Sequence, residues 1–229
     1  MKNVALGAVL FLAGCASVTP STFNHSEGKQ AVIRNSIDTS ASFDTVWDSV
    51  VSKLSQSFFV INNIDKQSRI INISFNVDSP EKYIDCGTSQ RSFDFQNEHM
   101  VYDYPVAASN SYRMMTTWNS GALPAVVTMN RKGKMDGRAN IYIAPNQAGG
   151  STVSVNSIYV WSVDVTGRVV GYNAFGAPGL LNEALPPIPS TTVNFTTKSP
   201  GSSKDGKDSI TCASTGLFEE SVIELVPKS

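Results

Sequence analysis

Histidine, cysteine and net charge are what this 229-residue chain has least of. Its two histidines, His25 and His99, stand in no HxxxH spacing, and its three cysteines form no CxxC pair. A tetrahedral zinc site therefore lacks a ligand set. Lysine and arginine number 18 against 19 acidic residues, a formal charge of -1. With no basic excess to neutralise a phosphate backbone, nucleic-acid binding is argued against, and no polybasic stretch serves anionic lipid. Nucleophilic catalysis also lacks its parts. No Gly-x-Ser-x-Gly elbow occurs, and His99 stands beside Glu98 with no partner motif, reading as a surface histidine. No lysine–serine pair follows Gly133, Gly137 or Gly149-Gly150, so no phosphate-cradling loop is formed, and no run of alternating oxygens surrounds Asp136-Gly137 to bind calcium. Glu219 and Glu220 could be offered as a carboxylate pair, but the first turn of an expected helix accounts for them through its dipole. No cofactor is expected, and the chain reads as a non-enzyme.

Long apolar runs are missing too. Val4 to Leu12 spans nine residues, too short a helix for a hydrocarbon core of about 30 Å. Behind Lys2, and ahead of small residues and a cysteine, it fits a cleaved signal at 1–14. Leu12-Ala13-Gly14-Cys15 resembles the lipobox of bacterial lipoprotein signal peptides. That resemblance implies that Cys15 becomes the first mature residue and carries diacylglycerol and palmitate, which hold the protein to a membrane. A secreted protein whose cysteine falls there by chance is the alternative. Under the sorting rule familiar from enteric bacteria, an aspartate after the cysteine means inner-membrane retention. Ala16-Ser17 implies the outer membrane, with the protein facing the periplasm. If lipid consumes Cys15, Cys86 and Cys212 remain as one possible pair, and an oxidising compartment favours a disulfide. Two buried free thiols or a poor metal site are the alternatives.

Without 1–14 the mature chain has 215 residues, and 41% hydrophobic composition suits a folded domain. Residues 15–29 read as the lipidated cysteine and a flexible tether, able to reach about 45 Å fully extended. Residues 30–229 read as a single α+β domain. A strand is expected at about 30–37. Phe43, Val46, Trp47, Val50 and Leu54 then mark one face of a helix over about 43–56, with Ser42 as its cap. Strands follow at 58–64 and 69–77, the second alternating Ile71, Ile73, Phe75 and Val77 with polar residues. Shorter strands are expected at 92–95, 100–104 and 112–118. Residues 126–130 and 138–144 bracket a Gly- and Lys-rich loop and read as one hairpin; 152–163 and 168–172 read as another. The stretch 176–208, punctuated by Pro178, Pro186, Pro187, Pro189 and Pro200, reads as a long surface excursion with a short strand at 192–197. A terminal helix is expected over about 215–226.

Two features point to binding. Trp118, Tyr159, Trp161 and Tyr172 belong to an aromatic-rich middle segment that forms either a partner or ligand surface or a set of core and cross-strand pairs. Phe175 lies in GYNAFGAPGLL (171–181), a loop that either docks a partner or folds back onto its own core.

The β-α-β-β unit at 30–77, with Trp47 in its helix and the strand returning after Asp65-Lys66-Gln67-Ser68, resembles the repeat of BamC-type outer-membrane lipoproteins. The resemblance covers about a fifth of the chain and implies a helix held in the grip of an antiparallel sheet. The cysteines at 86 and 212, the aromatic segment and the proline-rich stretch depart from that pattern. The expectation is an α+β fold, an antiparallel sheet packed against two helices. Its function is expected to be that of an accessory or scaffold component of an envelope complex with protein partners. The alternative is a periplasmic binder of a small ligand, a lipid or cell-wall fragment.

Overall fold

The computed structural model describes residues 21–118, 120–121, 123–173, 175–205 and 208–227. The expected signal segment, the lipobox and Cys15 lie outside the described residues. In chain order the elements are β1 (Thr22–Ser26), β2 (Ser36–Thr39), α1 (Phe43–Ser55), β3 (Val60–Asp65), β4 (Ile70–Val77), β5 (Ile84–Asp85), β6 (Thr88–Phe95) and β7 (Glu98–Pro105). They continue with β8 (Asn110–Trp118), β9 (Leu123–Pro145), β10 (Ser151–Tyr172), β11 (Pro178–Ala184), β12 (Thr191–Thr196), β13 (Gly201–Asp205), β14 (Asp208–Ser214) and α2 (Leu217–Ile223). The protein is mostly β, 59% strand against 12% helical, which corrects the expected α+β class: α2 is a single short helix and not a layer laid over the sheet.

Strands in stretches expected as loops account for the difference. β9 and β10 each run unbroken for 23 and 22 residues and pair from Ser151↔Pro145 to Gly171↔Ala125, where two separate hairpins were expected. Gly133 and Gly137 suggested a turn, but both are extended strand residues that permit close approach. A Cβ on Gly137 would lie 2.2 Å from the Phe75 ring, and one on Gly133 2.3 Å from the Ala107 carbonyl oxygen. The 176–208 excursion contains β11, β12 and β13. Its prolines begin a strand (Pro178), precede one (Pro200) or join two (Pro186, Pro187 and Pro189), positions where a missing N–H costs the ladder nothing. The strand expected at 30–37 is displaced to Ser36–Thr39. Within the expected tether, Thr22–Ser26 forms β1, paired to β6.

The β9–β10 ribbon is the spine of two halves. In the first, β4 pairs with β9 along Met135–Tyr142, β3 covers β4, and β2 and β12 lie along the other side of β10. α1 crosses the inner face of this sheet. Ser42 caps it by accepting from the Thr45 N–H at 3.3 Å, Asp44 sits in its first turn and Lys53 in its last, and Val46, Trp47, Val50 and Leu54 are buried. α2 adds Phe218, whose ring stacks on Phe75 at 4.2 Å.

In the second half, β8 pairs with β9 along Leu123–Arg131 and β11 pairs with β10. The three-stranded sheet β1-β6-β7 packs over them through Phe93, Met115, Val126, Tyr104, Tyr112, Val127 and Met129. The halves meet where β5 leads into β6 through Cys86 and Gly87. There the expected disulfide joins Cys86 to Cys212 of β14, both buried. Asp85 locks the corner, accepting from the backbone N–H groups of Gly87 (2.7 Å) and Lys29 (3.2 Å).

Candidate functional site

The five aromatic residues singled out from the sequence divide in two. Tyr159 and Trp161 are fully buried, so they are core and not surface. They face inward on β10 with Val153, Val155 and Val163, and the Trp161 indole donates to the Ala107 carbonyl at 3.1 Å. Trp118, Tyr172 and Phe175 are brought together at the far end of the second half. Trp118 ends β8 and Tyr172 ends β10, and the Trp118 indole N–H donates to the Tyr172 carbonyl at 3.2 Å. The indole lies across a backbone that only glycine permits, since a Cβ on Gly171 would come within 2.6 Å of it. Tyr172 packs edge-on against Phe95, 4.7 Å between centroids.

Phe175 stands at the β10–β11 turn and is 95% exposed. Its backbone is fixed even though its ring touches solvent. Asn173 Oδ1 accepts from the N–H groups of Phe175 (2.9 Å) and Ala177 (3.0 Å), and the Gly176 N–H donates to the Asn173 carbonyl (3.0 Å). The β6–β7 turn reaches the same point. Gln96 and Asn97 both take positive φ, as a two-residue hairpin turn of type I′ requires, and the Gln96 amide donates to the Gly176 carbonyl.

Two polar constellations were not anticipated. In the first half, Glu219 is fully buried, and its partners are hydroxyls. Oε1 accepts from Tyr159 (2.6 Å) and Thr197 (2.7 Å), and Oε2 from Ser214 (3.3 Å). Burial, reinforced by the adjacent carboxylate, pushes the Tyr159 hydroxyl well above its usual pKa, so it stays a donor. The reading of Glu219 as a first-turn residue holds for its place in α2 but missed this role, because Tyr159, Thr197 and Ser214 are distant in sequence or unremarkable.

In the second half, an open cleft of about 260 Å³ lies between the sheets. Arg91 is sandwiched between the rings of Phe23 (4.2 Å) and Tyr112 (4.7 Å), while Arg131 lies 5.3 Å from the Tyr104 centroid. His25, expected in a tether, lines this cleft from β1. Its Nδ1 meets Ser89 Oγ at 3.2 Å, and its buried Nε2 meets no hydrogen-bond partner among the described residues. His99 is exposed, as expected, and pairs with Asp94 at 2.6 Å.

Among the described residues no group of three His, Cys, Asp or Glu side chains is placed to hold a metal, and no helix is long and apolar enough to cross a membrane. No protein-family model, curated protein or solved structure matches this chain.

Proposed function

We propose that this chain is a lipoprotein anchored through Cys15 at the outer membrane, facing the periplasm, where it serves as a non-enzymatic scaffold component of an envelope complex. One observation carries the partner part of this reading. β3 ends the large sheet and, among the described residues, pairs only with β4. Beside this open edge Phe58 and Val60 are 60% and 59% exposed. Folded proteins blunt such edges with charge, bulges or a cover, because unpaired N–H and C=O groups template further pairing. Here a bulge interrupts the register between Ile61 and Asn63, which leaves the apolar stretch before it as the available edge. A partner strand added there would gain main-chain hydrogen bonds and bury both side chains.

The test is photocrosslinking in cells from a reactive residue at Val60, with His99 as the control position. A defined envelope protein captured from position 60 and not from 99 is the expected result. Val60→Lys should abolish its co-purification while leaving the melting temperature unchanged. No captured protein at position 60 would contradict the reading.

The second reading, small-ligand binding, draws on the cleft. Two guanidinium groups and the orphaned His25 Nε2, lined by aromatic faces, suit a small anionic group such as the carboxylate of a cell-wall fragment. A bound small molecule extracted from the purified protein would favour it.

A further inference from the structure

Three turns and the chain's entry point converge on one end of the molecule. β1 runs antiparallel to β6, with Thr22 opposite Ser92, so the described chain begins about three residues short of the β6–β7 turn. Ser21 lies along the free side of β8, where its hydroxyl accepts from the Met115 N–H at 2.8 Å, three residues before Trp118. The chain preceding Ser21 therefore leaves from the end that carries Trp118, Tyr172 and Phe175. Only six residue steps separate Ser21 from Cys15, a reach of at most about 22 Å. The long tether expected from the sequence is cut to this length by β1.

That end also has the chemistry of a surface that meets lipid. The sequence carries no charged residue in any of its three turns: FQN at 95–97, WNSGAL at 118–123 and GYNAFGAP at 171–178. Asp94 and Glu98 flank the first of them, and Asp94 is paired with His99. Indole and phenol groups, apolar in body and polar at one edge, favour the headgroup level of a bilayer, and both are present in Trp118 and Tyr172. Phe175 stands beyond them on a turn fixed by Asn173, so inserting its ring costs little backbone ordering.

Resting on the lipoprotein reading above, we infer that this end is a membrane-docking face. Phe175 enters the acyl–headgroup boundary of the bilayer that holds the Cys15 lipid, with Trp118 and Tyr172 at headgroup level. The acyl chains attach the protein, and the three turns orient it. The half bearing α1, α2 and the β3 edge is then held out into the periplasm. Ile158, exposed on β10, lies 14 residues from Tyr172, on the order of 45 Å along the strand.

The experiment uses the full, lipidated chain, purified from membranes and placed in phosphatidylethanolamine–phosphatidylglycerol vesicles. An environment-sensitive fluorophore is attached through Phe175→Cys, or through Ile158→Cys as the reference position. The expected result is a blue shift and loss of emission at 175 when the vesicles contain nitroxide-labelled acyl chains, protection from aqueous iodide there, and neither effect at 158. Iodide quenching at 175 equal to that at 158, on a chain whose mass shows the acyl groups, overturns the docking face alone. Protection from iodide without nitroxide quenching means that protein covers the turn, and also overturns it. A purified chain lacking acyl groups at Cys15 overturns both the docking face and the anchor.

Discussion

Removing Glu219 should cost this fold more than any other single polar change. Glu219→Ala leaves the hydroxyls of Tyr159, Thr197 and Ser214 facing an empty, buried space in which their acceptor is gone. An orphaned buried donor costs about 1–3 kcal/mol; Tyr159 and Ser214 are left so, while Thr197 can still donate to the Ser157 carbonyl, and with an entering water the loss amounts to about 2–4 kcal/mol. Glu219→Gln keeps the shape and an acceptor oxygen for Tyr159 and Thr197, and its amide can reorganise the contact to Ser214. It should cost less than about 1.5 kcal/mol. Tyr159→Phe removes one donor and leaves the carboxylate two, an intermediate loss of about 1–3 kcal/mol. Urea unfolding of the oxidised chain in mild detergent, followed by circular dichroism, gives the midpoints and slopes. The slopes should be unchanged, so that midpoint shifts report stability directly. A Glu219→Ala cost below about 1 kcal/mol, or one equal to that of Glu219→Gln, would refute the claim that this carboxylate anchors α2 against β10.

Other perturbations test separate parts of the structure. Replacing Cys86 and Cys212 together by alanine should lower stability by about 4–5 kcal/mol in thermal or urea melts, because the loop they close is long (126 residues apart) and the bond sits where the two halves meet. Gly137→Ala forces a Cβ into the Phe75 ring, itself packed on Phe218. It should destabilise by about 1–3 kcal/mol in the same melts, whereas Gly149→Ala meets open space and is strained only through its positive φ of 85°. Asp164 is held below the ordinary carboxylate pKa by the Ser190 hydroxyl first and by Lys134 second. A lowered folded pKa adds stability above the unfolded value of about 3.9 and loses it as the pH falls through the folded one. Ser190→Ala should therefore be less stable than the parent at pH 7, and melts taken at successively lower pH should show the difference closing below about pH 4.

Parts of this structure could be read directly from the residues, where local signals agree. α1 follows from a cap, a first-turn acid and apolar residues at helical spacing, and β4 from strict alternation. The Cys86–Cys212 pair follows from counting, once Cys15 is set aside. The inward placing of Tyr159 and Trp161 was also available. They continue the alternation of Val153 and Val155 against Thr152, Ser154 and Asn156, which decides for the core between the two readings that their aromatic character leaves open.

What could not be read depends on contacts distant in sequence. Gly133 and Gly137 look like turn residues until Ala107 and Phe75 are seen to press on them. β1 looks like a tether because TFNHS offers little to bury. It is held instead by its ladder to β6 and by cross-strand hydroxyl pairs, Thr22 with Ser92 and Ser26 with Thr88. The gathering of Trp118, Tyr172 and Phe175 at one end needed the register of the long ribbon. Their chemistry was visible earlier, their common address was not.

The anchor bears most directly on the whole account, since the scaffold role, the short tether and the docking face all assume it. Mass spectrometry of the N-terminal peptide from protein extracted out of bacterial membranes measures it in one step. The expected peptide begins at Cys15 and carries diacylglycerol on its sulfur and palmitate on its amine. A chain that begins elsewhere, or a Cys15 with a free thiol, would contradict it.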